Sequence, residues 1–256
     1  MQHRVIAVLN QKGGVGKTTT SCNLAFALSQ MEKHVLAIDL DPQSHLAVSL
    51  GLNQAGLSGV DDIFLDGAEA AAYVHPIREN LDILPAGFRL GEVEKLSAKG
   101  RSQAVVIRDA LLPIRQNYDF VIIDCPPTSG LLNFNALYAC DEIVIPVSSD
   151  YLALQGLSQF LKTLESAQSY MGKSLKIWIV LTRFMTRRNL SQTILTKLLQ
   201  YFPKQILATV VRECAPVAES PGYGQSVIEY RPKSNGAKDY LALANDICEF
   251  RTLEAL

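Results

Sequence analysis

The sequence has no C-x-x-C pair, no long apolar run and no excess of charge of either sign. It has five cysteines, an odd number, and their spacing is not that of a zinc site or a disulfide framework, so it fits a reducing cytosol. No apolar stretch approaches 18 residues, which excludes a transmembrane helix of the usual kind. The apolar run at residues 5–9 is too short for a signal peptide. We therefore expect a cytoplasmic protein.

Apolar residues are abundant. Hydrophobic residues make up 48% of the 256, and charged residues 19%. This composition excludes a disordered chain, and a chain of this length can bury a full core without a disulfide or a metal. The length predicts one domain over residues 1–256. We expect no N-terminal helix-turn-helix domain, and hence no sequence-specific binding to an operator.

Short apolar runs alternate with segments of helical period along the whole chain. The predicted strands are residues 4–9, 34–39, 81–85, 120–124, 142–147, 177–181 and 205–211. Most are continuously apolar, as in parallel strands that are covered on both faces. The pattern predicts a doubly wound α/β fold with a mostly parallel sheet of about seven to eight strands and helices on both faces. Residues 52–80 are the least regular and are predicted to form short surface helices.

A glycine-rich loop follows the first predicted strand. Its residues are Asn10, Gln11, Lys12, Gly13, Gly14, Val15, Gly16, Lys17, Thr18 and Thr19. Glycines let backbone N–H groups turn towards phosphate oxygens, and the next helix points its N-terminus at the same anion. Lys17 is predicted to reach the β- and γ-phosphates, and the hydroxyl of Thr18 to bind Mg²⁺. The pattern departs from the general P-loop because Gln11 replaces its first glycine. ATP and Mg²⁺ are the predicted cofactors.

The segment KGGVGKTT resembles the deviant Walker A loop of the ParA/MinD family of ATPases. The resemblance implies a homodimer with ATP sandwiched between the subunits, in which Lys12 reaches the nucleotide of the partner subunit. There it would stabilise charge on the phosphoryl group, as an arginine finger does.

Two acidic segments at predicted strand ends complete this resemblance. Residues 39–43, DLDPQ, resemble switch I of the family, which implies that Asp41 orients the attacking water and Asp39 supports the metal site. Asp124 ends a run of four apolar residues as a Walker B carboxylate does, and the Cys-Pro-Pro that follows resembles switch II. Residues 151–157 and 230–237 resemble later family motifs, with Gln155 where glutamate is usual.

The net charge of −1 conceals an uneven distribution. Residues 173–238 contain eleven basic and three acidic residues, a charge of +8, against −9 for the rest. Such a segment is typical of polyanion binding, and ParA-type dimers bind DNA without sequence preference. The predicted DNA contacts are Arg187, Arg188, Arg212, Arg231, Lys233 and Lys238. Pro216 and Gln225 stand where the family often has basic residues, so binding is expected to be weaker or shifted to neighbours.

The resemblance implies a slow ATP hydrolase that associates with the nucleoid and positions or segregates a chromosome, a plasmid or another large assembly. A ParB-like or other cargo adaptor would stimulate hydrolysis. One alternative is a MinD-like membrane switch, but residues 245–256 carry one basic and three acidic residues, so stable membrane association is not expected. Another is a metal-cluster protein using Cys125 and Cys140, which are more simply small apolar residues.

Overall fold

The computed structural model describes residues 3–53, 56–95, 101–150 and 153–253. Its strands are β1 Arg4–Val8, β2 Val35–Asp39, β3 His75–Arg78, β4 Leu81–Leu84, β5 Phe120–Asp124, β6 Glu142–Ser148 and β7 Lys176–Thr182. They form one seven-stranded sheet in the order β3-β4-β2-β5-β1-β6-β7. Every pairing is parallel except that of β3 with β4. The predicted doubly wound, mostly parallel sheet is confirmed.

Helices cover both faces of the sheet. They are α1 Lys17–Ser29, α2 His45–Ser49, α3 Val60–Asp66, α4 Leu90–Lys95, α5 Arg101–Ala104, α6 Val106–Leu111, α7 Leu131–Ala139, α8 Ala153–Met171, α9 Asn189–Tyr201, α10 Ala215–Glu219, α11 Val227–Tyr230 and α12 Asn235–Glu249. One apolar cluster joins the sheet to α1, α2 and α12, and a second joins the other face to α3, α4 and α6–α9. The strands alternate side chains between these two cores, which explains their continuous apolar runs.

Two parts of the predicted sheet are different in the structure. The predicted strand 205–211 forms only isolated bridges, Ile179 with Ile206 and Leu207 with Thr252. The run is broken because the backbone N–H of Thr209 donates to the carboxylate of Asp246 at 2.6 Å rather than to β7. In residues 52–80 the predicted short helices are present as α3 and the 3₁₀ turn Ala70–Tyr73, but the antiparallel edge strand β3 that follows them was not predicted.

The register of the central strands sets the position of the site. Asp39 at the end of β2 pairs with Asp124 at the end of β5, and Asp124 also pairs with Val8 at the end of β1. The glycine-rich loop leaves β1 at this same edge. In an open parallel sheet, ligands bind outside the carboxyl ends of the strands where the strand order reverses. Here that point lies between β1 and its neighbours β5 and β6.

Candidate active site

The glycine-rich loop leads directly into α1. Gly14 has φ of 75° and Gly16 has φ of 87°, a left-handed conformation that glycine adopts without strain. Gly16 is the N-cap of α1 and provides no side-chain hydrogen bond to the first turn. The first N–H groups of a helix have no partner within it, so this end of α1 can bind an anion. The loop thus has the backbone of a phosphate site.

Lys17 opens α1 and lies beneath this loop. It is only 7% exposed, and its Nζ donates to the backbone carbonyl of Lys12 at 3.3 Å. Burial lowers the pKa of Lys17, while the charges of Asp124 and Asp41 oppose that shift. The ammonium is therefore held in the turn where phosphate is expected, close to two carboxylates.

Asp124 joins β5 to α1 through two hydroxyl groups. Thr18 Oγ1 donates to Oδ2 at 2.7 Å, and Ser21 Oγ donates to Oδ1 at 2.8 Å. The side chain is fully buried, and burial raises the pKa of Asp124 to about 6 although both hydroxyls favour its ionised form. Two oxygen ligands of the kind that Mg²⁺ prefers are thus held together at the phosphate loop. A bound Mg²⁺ would be held by Thr18 and Asp124, and it would neutralise charge on the phosphates.

The two carboxylates after β2 have different surroundings. Asp39 is fully buried and accepts hydrogen bonds from the backbone N–H groups of Asp41, Leu46 and Ala47 at 3.1–3.2 Å. Burial, followed by the charge of Asp124, raises the pKa of Asp39 well above its ordinary value. The carboxylate thus fixes the start of α2 behind the site. Asp39 was predicted to support the metal site, and it would do so by holding the segment between β2 and α2 in place.

Asp41 is also buried, at 8% exposure, but is less constrained. Its Oδ1 accepts one hydrogen bond from the backbone N–H of Gln43 at 2.9 Å. The charge of Asp41 opposes the lowering of the Lys17 pKa, which indicates that this carboxylate lies near the phosphate loop. The predicted role of Asp41, orienting a water for attack, remains a prediction that this position suits.

Lys12 forms an ion pair within its own chain. Its Nζ lies 2.7 Å from both carboxylate oxygens of Asp150, and Ser148 Oγ donates to the same carboxylate at 2.5 Å. Lys12 and Asp150 remain 39% and 44% exposed. The sequence pattern did not indicate Asp150, which follows β6. The next two residues, Tyr151 and Leu152 of the predicted motif, lie outside the described part of the chain.

Three further side chains at the site were missed by sequence reasoning. Ser21 lies one turn after Lys17 on α1, a spacing that predicts a shared face, yet it is not part of the loop pattern. Asn10 Nδ2 donates to the carbonyl of Pro146 at 2.8 Å, and Thr182 Oγ1 donates to the carbonyl of Val15 at 2.8 Å. The last two attach the phosphate loop to β6 and β7. Only the fold reveals them, because they are more than 130 residues from their partners.

The predicted DNA residues fall into two exposed groups and one paired residue. The exposed groups are Arg187 and Arg188 before α9, and Arg231, Lys233 and Lys238 at the start of α12. Arg212 is different because its Nη2 and Nε bind the carboxylate of Asp239 at 2.6 and 2.9 Å. The backbone of Arg212 also forms an isolated parallel β-bridge with Phe184, in the loop that leads to α9. It thus links the loop of the first group to the helix of the second, with its charge already neutralised.

Comparison with known proteins identifies the family. Residues 3–177 match the AAA domain family. The chain is 40% identical to the sporulation initiation inhibitor protein Soj of Bacillus subtilis, over 95% of this chain and 98% of that protein. It is 38% identical to the chromosome partitioning protein ParA of Myxococcus xanthus, over 95% of this chain and 87% of that protein.

Solved structures agree with the fold and the cofactors. Cobyrinic acid a,c-diamide synthase from Mycobacterium smegmatis, with a bound ATP analogue and magnesium, superposes with a TM-score of 0.84 at 29% identity over 100% of both chains. A variant of Cyanothece McdA in complex with ATP shares the fold, with a TM-score of 0.86 at 21% identity over 98% of both chains. The protein is an ATP hydrolase that uses ATP and Mg²⁺, and the chain belongs to the ParA/Soj family of partitioning ATPases.

Proposed function

We propose that the protein forms an ATP-dependent homodimer that binds double-stranded DNA of the nucleoid without sequence preference and positions or segregates a cargo. The cargo would be a chromosome, a plasmid or another large assembly, and a ParB-like or other adaptor on it would stimulate hydrolysis. The observation that carries this proposal is the placement of Arg187 and Arg188. They lie in the loop after β7, at the same edge of the sheet as the phosphate loop.

The nucleotide and the DNA would communicate through this edge. Thr182, the last residue of β7, donates to the phosphate loop, and the basic loop begins at the next residue. Ser149, just after β6, donates to the carbonyl of Arg183 at 2.9 Å. A change in the phosphate loop or in the end of β6 therefore acts directly on the segment that carries Arg187 and Arg188.

Electrostatics favour DNA as the polyanion. Exposed arginines and lysines supply contacts to phosphates that carry no sequence information, and the counterions that they release make such binding steeply salt-dependent. The exposed groups before α9 and at the start of α12 supply five unit charges, whereas the charge of Arg212 is paired with Asp239. We assign Arg212 a structural part in this surface.

A binding assay with random duplex DNA tests the proposal. We expect the protein to retard the DNA at low salt with a slowly hydrolysed ATP analogue and Mg²⁺, but not with ADP. The double variant Arg187→Ala, Arg188→Ala should lower the slope of log affinity against log salt by about 2. Arg115→Ala, an exposed arginine before β5, is the matched control and should leave the slope unchanged. DNA binding that is absent, or equal with ADP and the ATP analogue, would refute the proposal.

The two alternatives gain no support from the fold. The C-terminal helix α12 buries Tyr240, Leu243 and Ile247 against the core, and Leu253 N–H donates to the carbonyl of Ile206, so this end of the described chain is used in packing. No helix among the described residues is long and apolar enough to cross a membrane. A cluster shared between subunits would need cysteine ligands at the surface, but Cys125 and Cys140 are both fully buried.

A further inference from the structure

The main chain and the side chain of Lys12 are both attached to the end of β6. The backbone N–H of Lys12 donates to Asn10 Oδ1 at 3.0 Å, and Asn10 in turn donates to the carbonyl of Pro146. The ammonium group binds both oxygens of Asp150, and Ser148 holds that carboxylate in place. In this arrangement Lys12 is directed to its own subunit.

We propose that Asp150 is a positioning residue that retains Lys12 within its own subunit until ATP of a partner subunit replaces it. This inference rests on the ATP-dependent dimer of the proposed function. The pair with Asp150 uses two of the three N–H donors of Lys12 and directs its side chain to its own subunit, so contact with a phosphate of a partner subunit would require the pair to open. A triphosphate carries more negative charge than one carboxylate and is the stronger competitor for Lys12.

The exposure of the pair makes it reversible. The side chains of Lys12 and Asp150 are 39% and 44% exposed, so water can solvate both charged groups when the pair opens. An ion pair with this exposure contributes a free energy that changes an equilibrium constant by a factor of about 1.5 to 5. A symmetric dimer releases two such pairs, so the contact should weaken dimerisation by a factor of about 2 to 25. That range can tune a dimer without preventing its formation.

Sedimentation velocity in the presence of Mg²⁺ and a slowly hydrolysed ATP analogue tests the inference. Asp150→Asn keeps the shape of the side chain and removes its charge, and should lower the dimer dissociation constant by about 2- to 25-fold. Ser148→Ala should act in the same direction with a smaller effect, since it loosens the carboxylate but keeps its charge. The matched control is Asp109→Asn, which breaks an exposed pair with Arg108 on α6 and should change nothing.

A double variant shows whether Asp150 acts through Lys12. In a Lys12→Gln background, Asp150→Asn should have no effect on dimerisation. A tighter dimer in that background, or a wild-type dimer that Asp150→Asn fails to strengthen, overturns the inference and leaves the proposed function standing. If wild type and Asp150→Asn both remain monomeric with the ATP analogue, the proposed dimer is refuted and this inference with it. A dimer formed by Asp150→Asn alone supports the retention of Lys12.

Discussion

At the scale of single residues, the site concentrates charge where water has little access. Asp39 and Asp124 are fully buried, and Lys17 and Asp41 are at most 8% exposed. Electrostatic interactions among these groups act in a medium of low polarity and are therefore stronger than at the surface. The groups are also held in position before substrate arrives. Backbone N–H groups and hydroxyls hold the two fully buried carboxylates. The site is therefore organised in advance for a charged, metal-bound ligand.

Lys17→Ala should lower the affinity for ATP by about 100-fold, because it removes a buried, charged donor that is directed into the phosphate loop. ATP turnover should be lost with it, and so should the proposed dimer and DNA binding. Titration with a fluorescent ATP analogue measures the affinity. Lys162→Ala, which removes an exposed lysine on α8, is the control and should bind ATP as the wild type does. Wild-type affinity in Lys17→Ala would contradict the assignment.

Asp41→Ala should preserve ATP binding and lower the turnover rate by about 100-fold or more, the usual cost of removing a group that handles the attacking water. Asp41→Asn can still accept the hydrogen bond from Gln43 N–H, and it should also be slow if the charge is what matters. Steady-state phosphate release measures turnover, and isothermal titration measures binding. Normal turnover in Asp41→Ala would show that another residue orients the water.

The sequence predicts residues of this site only where a pattern is local. Lys17 and Thr18 follow from a continuous loop, and Asp124 from an apolar run that ends in a carboxylate. Asp150 could not be found in this way, because its partner Lys12 is 138 residues away. Arg212 shows the converse limit. Its basic character is evident in the sequence, but its pairing with Asp239 depends on the packing of α12.

At the scale of elements, the loop between β4 and α4 depends on one buried carboxylate. Asp61, in the first turn of α3, accepts hydrogen bonds from the backbone N–H groups of Gly59, Asp62 and Arg89 at 2.8–2.9 Å. Gly87 lies against this carboxylate with φ of 82°. The loop is consequently held in one conformation at the carboxyl edge of the sheet.

Gly87→Ala should destabilise the protein by about 2 to 4 kcal/mol, because a Cβ there would overlap the carboxylate of Asp61 and the backbone is left-handed. Gly91→Ala is a matched control within α4, where a Cβ has open space, and it should be neutral or stabilising by about 0.5 kcal/mol. Urea unfolding followed by circular dichroism measures both. Equal stabilities would show that the loop relaxes around the new side chain.

Element prediction succeeded where strands are buried on both faces and was wrong at the sheet edge. The central strands β1, β2 and β5 read as continuous apolar runs, and their ends were placed within one residue. The apolar run 205–211 is equally strand-like, but the buried carboxylate of Asp246 takes one of its N–H groups and divides it into bridges. Edge strand β3 lacks such a run because Pro76 and Arg78 lie in it.

At the scale of the whole molecule, the carboxyl ends and the amino ends of the strands have different roles. The carboxyl edge holds the phosphate loop, while the amino edge holds an ion pair between Arg4 and Glu142, the first residues of β1 and β6. Their side chains are only 12% and 7% exposed. Trp178 Nε1 donates to the same carboxylate at 2.6 Å, and the guanidinium of Arg4 lies over the ring of Phe250. This cluster joins the strands far from the nucleotide.

Glu142→Gln should lower the free energy of unfolding by about 3 kcal/mol at pH 7, because it leaves Arg4 buried without its counter-charge. Burial opposes ionisation, yet hydrogen bonds from Arg4 and Trp178 keep the pKa of Glu142 below the ordinary glutamate value of 4.5. In the wild type, the ionised Glu142 therefore makes its full contribution to stability above pH 4.5. This contribution is lost as the pH falls through the lowered pKa of Glu142.

Thermal unfolding between pH 3 and pH 7 measures this difference. The gap between wild type and Glu142→Gln should be constant near neutral pH and close at acid pH. Asp109→Asn, which breaks an exposed pair, should cost at most about 1 kcal/mol. A gap that persists unchanged at pH 3 would show that Glu142 contributes by packing rather than by charge.

Both lateral borders of the sheet disfavour pairing with further strands. On one side β3 runs antiparallel, carries the exposed Pro76 and shifts its register before Arg78. On the other side the bridged segment 205–211 covers β7. Unpaired strand edges recruit neighbouring chains and start aggregates. Backbone pairing between the sheets of neighbouring molecules is therefore disfavoured, and the proposed assembly of many copies along one DNA molecule would depend on contacts that ATP can reverse.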